Sequence, residues 1–239
     1  MTDEASNSSP VALVTGGSRG LGQAFTAELV ERGWRVIADA RDGSRLTAAL
    51  HGLPPTAVSA LAGDVADPAH RRALANAVDD AGRLDLLVNN ASVLGPSPQP
   101  GLAEYPLEVL EQVYAVNTFA PLALVQLLLP QLERCGGRIV NVSSDAAVEA
   151  YEGWGGYGSA KAALDHLTAV LAVEHPALRA YAFDPGDMAT DLQQQAFPGE
   201  DIRDRASPES VVPALLRLVE GNLPSGRYRA AGLLAAASR

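Results

Sequence analysis

Tyr157 and Lys161 stand four positions apart in Tyr-Gly-Ser-Ala-Lys, a spacing that puts both side chains on one face of a helix. A phenol, with a pKa near ~10, is a poor base at neutral pH. A neighbouring ammonium stabilises the phenolate and lowers that pKa, which makes the tyrosine a usable general acid or base. A solvated surface pair has the same spacing, so the pattern needs a companion. One is Ser144, the second of two serines that follow the apolar run Arg138–Val142. In open α/β sheets ligands bind beyond the carboxyl ends of strands, where such a hydroxyl can hydrogen-bond a carbonyl oxygen. The alternative for Ser144 is a turn or capping serine.

A second group of residues suits a phosphate. Thr15-Gly16-Gly17-Ser18-Arg19-Gly20-Leu21-Gly22 lies between an apolar run and a helical pattern. Glycines there allow a tight turn and close backbone approach to a pyrophosphate, and the helix N-terminus offers free N–H groups. The spacing of Gly16, Gly20 and Gly22 is G-x-x-x-G-x-G, not the commoner G-x-G-x-x-G. The next strand ends Val36-Ile37-Ala38-Asp39-Ala40-Arg41. Side chains alternate faces along a strand, so Asp39 and Ala40 cannot both point at the adenosine ribose. With Ala40 there, Arg41 and Arg19 can pair with a 2′-phosphate; with Asp39 there, a carboxylate holds the ribose hydroxyls. The joint reading favours NADP(H) over NAD(H).

The elements that must position these residues alternate along the chain. Strands are expected at Val11–Thr15, Val36–Ala38, Ala57–Ala62, Leu84–Val88, Arg138–Val142, Leu178–Phe183 and Arg227–Ala230. Helices are expected at Leu21–Arg32, Arg41–His51, Pro68–Ala81, Leu107–Arg134 (kinked at Pro121), Gly158–Glu174 and Pro208–Glu220. This alternation predicts an α/β fold: a single Rossmann-type, doubly wound domain whose mostly or wholly parallel sheet of about seven strands carries helices on both faces. Residues 1–10 are expected to be a flexible leader and 11–239 the domain. Residues 187–207 break the rhythm and are expected to cover a site.

Composition narrows the function. In 239 residues, 47% are hydrophobic and 19% charged, enough to bury a sizeable core. Eighteen basic against 28 acidic residues give a net charge of -10, which lacks a nucleic-acid footprint and is repelled by an anionic membrane. One cysteine and four scattered histidines leave no disulfide and no metal motif. No signal peptide is visible, and the longest apolar stretch, around Phe119–Leu129, is broken by Pro121 and Gln126 and too short for a bilayer. A cytoplasmic protein is expected, with no nucleic-acid or membrane partner.

Taken together, these motifs resemble the short-chain dehydrogenases/reductases in their compact one-domain form, from about Val11 to Ala230. Thr15 to Gly22 resembles the family's cofactor loop, Asp64-Val65 its adenine-contacting turn, and Asn89-Asn90-Ala91-Ser92 its N-N-A-G segment. Asn117 falls where the family has its catalytic asparagine, and Ser144, Tyr157 and Lys161 match its serine, tyrosine and lysine. Pro185-Gly186 through Thr190 resembles the P-G-x-x-x-T segment that holds the nicotinamide amide.

The resemblance implies hydride transfer between a nicotinamide and a small-molecule carbonyl or alcohol. It implies Tyr157 as proton donor, Ser144 as a donor to the same oxygen, and Lys161 on Tyr157 and the ribose. Asn117 would keep a water that links Lys161 to solvent. It also implies a homodimer or homotetramer built on the Leu107–Arg134 and Tyr157 helices, with Leu122, Val125, Leu129, Ala169 and Ala172 as candidate outward apolar residues.

Two departures stand out. Ser92 replaces a glycine, which a negative φ permits with minor effect. The C-terminus lacks an aspartate–glycine–glycine ending, which touches the tetramer contacts and not the chemistry. A non-catalytic sensor or scaffold of the same fold usually lacks the tyrosine or lysine. An epimerase or dehydratase tends to need a larger C-terminal domain than this length leaves.

Overall fold

The computed structural model describes residues 9–236; the first eight residues of the expected leader lie outside the described residues. The strands are β1 (Val11–Val14), β2 (Arg35–Ala40), β3 (Val58–Ala62), β4 (Leu86–Asn89), β5 (Arg138–Val142), β6 (Arg179–Asp184) and β7 (Gly226–Arg229). They form one sheet in the order β3-β2-β1-β4-β5-β6-β7. Every pairing is parallel, from Val11 opposite Arg35 to Asp184 opposite Arg229. The expected sheet is therefore wholly parallel and seven-stranded.

Alternation of side chains divides the core in two. Ala12, Val14, Val36, Val88, Val140 and Phe183 pack on one face. They meet Phe25 and Leu29 of α1 (Gly20–Glu31), Leu46 of α2 (Gly43–Ala49), and Leu215 and Leu218 of α8 (Pro208–Glu220). Val11, Leu13, Leu87 and Ile139 pack on the other. There they meet Leu74 and Val78 of α3 (Pro68–Ala81), Leu124 and Leu128 of α5 (Ala120–Cys135), and Leu171 of α6 (Gly155–Glu174). Helix α3 has the predicted bounds because its ends are written in the sequence. Asp67 caps it through the Ala69 N–H, Pro68 opens it, and Gly82 closes it with a φ of +80°.

The long helix differs from expectation. Helix α4 (Leu107–Tyr114) passes through a π turn at Ala115–Phe119 before α5 begins, so the irregularity lies ahead of Pro121, which sits in the first turn of α5. In a regular α-helix the residue at 121 would donate its N–H to the Asn117 carbonyl; proline has none, and the ladder is offset there. Leu107–Cys135 is, by length and composition, long and apolar enough to cross a membrane, contrary to the sequence reading, but half of it is buried in this fold.

The expected outward residues hold in part: Ala169 is exposed and Leu122 half-buried, but Val125 is core, and Leu129 and Ala172 pack against that core. The exposed apolar side chains of this region are Phe119, Leu127, Val170 and Val173. A short helix α9 (Ala230–Ala235), not anticipated, follows β7 and buries Leu233.

Candidate active site

The chain order reverses between β1 and β4, and a cleft opens there beyond the carboxyl ends of the strands. Its floor is the glycine loop. Thr15 Oγ1 accepts the N–H groups of Asn90 and Ala91, each at 3.0 Å, and the Asn90 carboxamide donates to the Thr15 carbonyl at 2.8 Å. Gly16 has a φ of +70° and Gly20 one of +56°. A Cβ on Gly22 would lie 2.4 Å from the Gly16 carbonyl oxygen, so only glycine lets the loop fold back this closely. No side chain caps α1 at Arg19, so its first N–H groups face the cleft with no internal acceptor. Gly16, Ser18, Arg19, Gly20 and Leu21 line this part. An uncapped helix start behind a cradle that Cβ atoms would fill fits the pyrophosphate of a dinucleotide.

The adenosine end is bounded by Asp64, Val65, Ala91, Ala40 and Arg41. Asp39 and Ala40, the two options for β2, both line the cleft, and what distinguishes them is how Asp39 is engaged. Asp39 is buried, and its carboxylate is spent on protein: Oδ1 accepts the Gly16 N–H at 2.9 Å and Oδ2 meets His70 Nε2 at 3.0 Å. Burial pushes the Asp39 carboxyl up, and the His70 and Gly16 hydrogen bonds act against that rise. Arg41 is exposed at the rim. Arg19 pairs with Asp191, which also lies 3.5 Å from Arg45.

The chemistry-bearing residues meet at the other end. Tyr157 lies in the first turn of α6, buried, with Lys161 one turn later. Lys161 Nζ donates to the Val142 carbonyl at 2.7 Å and sits 5.6 Å from the Tyr157 ring centre. Ser144 Oγ accepts from the Ala146 N–H at 3.2 Å, the capping role considered for it, and donates to Asp145 Oδ1 at 3.0 Å, beside the phenol of Tyr157. The carboxamide of Asn117, in the π turn, is committed to the segment after β4: Val93 N–H donates to it at 2.9 Å and it donates to the Val93 carbonyl at 2.8 Å. Pro185, Gly186 and Thr190 line the same end, Thr190 also capping α7 (Asp191–Ala196). Met188, Leu192 and Gln193 of the 187–207 segment line the cleft as well.

The acid–base expectation for Tyr157 is reversed. Burial dominates and pushes the phenol up to about 12, with the nearby Ser92 and Ser144 hydroxyls opposing it. Burial also holds the Lys161 ammonium down, at about 8. In a dry site both groups favour their neutral forms, so Tyr157 keeps its proton at neutral pH.

Several contributors had no sequence signal. Ser92, expected to matter little, donates to the Asn117 carboxamide at 3.2 Å and acts on Tyr157. Arg227 ties β7 to the site through Asp165, Asp184 and the Ser144 carbonyl at 2.8–3.0 Å. Trp154 meets Tyr157 edge-on with ring centres 5.8 Å apart, and Phe197 stands 6.1 Å from Trp154.

A doubly wound sheet with a dinucleotide cradle at its switch point and a buried serine–tyrosine–lysine group beyond it defines a nicotinamide-dependent oxidoreductase of alcohols and carbonyls. The chain belongs to the short chain dehydrogenase family, whose model matches residues 10–201. It is 33% identical to the benzil reductase ((S)-benzoin forming) of Saccharomyces cerevisiae over 86% of this chain and 80% of that one. It is likewise 33% identical to the sepiapterin reductase of Mus musculus over 78% and 77% of the two chains. A short chain dehydrogenase from Shigella flexneri, solved in complex with NADP, superposes with a TM-score of 0.87 at 26% identity, covering 93% of this chain and 97% of that one.

Lys161 yields a stability prediction. Its folded pKa, about 8, lies below the unfolded 10.5, so the buried ammonium burdens the fold fully below pH 8. That burden is relieved as pH rises from 8 toward 10.5. The shift corresponds to about 3 kcal/mol, and the Val142 carbonyl orphaned by Lys161→Met takes back roughly 1–2 kcal/mol. Chemical denaturation at pH 7 should show Lys161→Met more stable than wild type by about 1–2 kcal/mol, with the gap closing roughly one pH unit above the folded pKa and reversing toward the unfolded one. A variant less stable at pH 7 refutes the burden.

Proposed function

We propose that the protein is an NADPH-dependent reductase of a small-molecule ketone or aldehyde, able to run in reverse on the alcohol. The observation that carries this reading is Tyr157: buried beside Ser144 and with its pKa at about 12, it holds a proton at neutral pH and can give it to a strongly basic alkoxide. Ser144 donates to the same oxygen and stabilises the charge that develops there. Lys161, fixed on the Val142 carbonyl, stands within reach of ribose hydroxyls and of the phenol. Asn117 keeps the Ser92–Val93 segment in place as the wall opposite Tyr157.

The nicotinamide cofactor, when bound, supplies or accepts the hydride. Gly16, Ser18, Arg19, Gly20, Leu21 and Gly22 would hold its pyrophosphate, and Asp64, Val65, Asn90 and Ala91 its adenosine side. Pro185, Gly186 and Thr190 would hold its amide. Arg41, exposed at the rim while Asp39 is engaged elsewhere, supports the 2′-phosphate form. The structural neighbour solved with NADP agrees with that preference. Both curated relatives named above are reductases, which supports the direction. Trp154, Met188, Leu192 and Phe197 suit an apolar, ring-bearing substrate, with residues 187–207 as its cover.

With a panel of carbonyl compounds, Tyr157→Phe should lower turnover by a factor on the order of 10² or more while cofactor affinity barely changes. Loss of both together would show that the start of α6 had unfolded instead. Arg41→Ala should raise the KM for NADPH roughly tenfold, the value of a charge-assisted bond to phosphate, and leave that for NADH alone. Wild-type preference for NADH would overturn the cofactor reading. The exposed Phe119, Leu127, Val170 and Val173 suit burial in a homodimer or homotetramer. Sedimentation at micromolar concentration should give at least twice the chain mass; a single-chain mass refutes it.

A further inference from the structure

His70 belongs to no motif of the site and to no step of the reaction, yet it is 8% exposed and its ring packs behind the cleft, against Asp39 and Gly63, which line it. It stands in the first turn of α3 and reaches back over the turn after β3. There Gly63 makes room for it: a Cβ on Gly63 would lie 2.1 Å from His70 Nδ1. The ring nitrogen Nε2 meets Asp39 Oδ2 at 3.0 Å, and with the carboxylate ionised Nε2 is the donor. The second carboxylate oxygen is taken by the Gly16 N–H at 2.9 Å, and the Asp39 carbonyl by the Gly17 N–H at 2.8 Å.

An acidic residue at the end of this strand is the group that elsewhere grips a ribose 2′-hydroxyl. Asp39 lines the cleft, only two residues before Arg41. Released from the loop, its charge would lie close to any group at the 2′ position. The other charges at this end are Asp64 from the turn after β3, Arg41, and the Arg19 and Arg45 guanidinium groups gathered on Asp191. A free Asp39 would thus add a carboxylate to a rim where one arginine faces the phosphate without a carboxylate partner among the described residues.

We propose that His70 is a positioning residue for cofactor choice: its ring anchors the Asp39 carboxylate on the Gly16 N–H, which keeps the 2′ position clear for a phosphate and leaves Arg41 to meet it. The inference rests on the NADP(H) reading above and extends it from Arg41 to a buried residue behind the loop. The downward pull of His70 on the Asp39 carboxyl is consistent with this anchoring.

The test is calorimetric titration of the purified full chain with NADPH and with NADH, read as the ratio of the two affinities, so that a general loss of binding cancels. His70→Leu removes the donor and should shift the ratio toward NADH by roughly tenfold, the scale of a like-charge contact a few ångströms from a phosphate. His70→Gln keeps an N–H in reach of Asp39 and should hold the wild-type ratio. Adding Asp39→Ala to His70→Leu should restore it. Asp39→Ala alone, which needs no folding of a His70 variant, should leave the ratio nearly unchanged because the carboxylate is already held away. An unchanged ratio in His70→Leu, a Gln variant as impaired as the Leu one, or a large gain of NADPH preference in Asp39→Ala alone each overturns the proposal. The wild-type ratio itself tests the cofactor reading separately: a preference for NADH sinks that reading, while the direction of change in His70→Leu still decides the role of His70.

Discussion

The hydrogen bond from Lys161 Nζ to the Val142 carbonyl is the constraint from which the active site is hung. A buried ammonium has to find a protein acceptor. It is tolerated because the last carbonyl of β5 points into the gap that α6 crosses. The bond fixes the rotation of α6 about its own axis, and with it Tyr157 one turn earlier. Gly158 lets that turn approach so closely: a Cβ there would lie 2.5 Å from the Ala146 carbonyl oxygen. Ser144, which starts the short turn containing Ala146, is placed by the same contact. Tyr157, Ser144 and Lys161 are therefore held by one junction between a strand end and a helix start.

The same junction sets the electrostatics. The dryness that makes the Lys161 bond strong also raises the phenol and lowers the ammonium. A tyrosine pKa lowered by a lysine is what composition and spacing suggest, since spacing carries charge but not solvent. Desolvation is a property of the packed site. It depends on Trp154 over the Tyr157 ring and on the cover beside it, which no four-residue pattern encodes.

Where local rules govern, the sequence was legible. The buried strands β1, β2, β4, β5 and β6 read as short apolar runs, whereas the half-exposed edge strands β3 and β7 were placed by the alternation of elements. Helix α3 was bounded to the residue because Asp67-Pro68 and Gly82 act through their own backbones. The π turn was not visible, for it arises from an N–H that Pro121 lacks, and a proline signals disruption without saying on which side. Val125 and Phe119 could not be sorted into core and surface, because α5 carries apolar residues around much of its circumference. Strand alternation said that Asp39 and Ala40 face opposite ways but not which way. The deciding partner, His70, is a lone histidine 31 positions on, distinguishable only once the fold brings it to Gly63.

The strand order has a further consequence, for the birth of the protein. Strand β1 is made before its neighbours in the sheet, β2 and β4, and Ala12 pairs with Leu86. The glycine loop is clasped by Asn90, and the cleft is finished only by residues around Thr190. A nascent chain therefore holds its phosphate loop without the contacts that shape it until residues as far on as Thr190 have been made. Long-range pairing of this kind is slow, because the entropy of closing large loops must be lost before the contacts form. No fragment short of β6 contains both ends of the cleft, so the binding site comes into being late and as a whole.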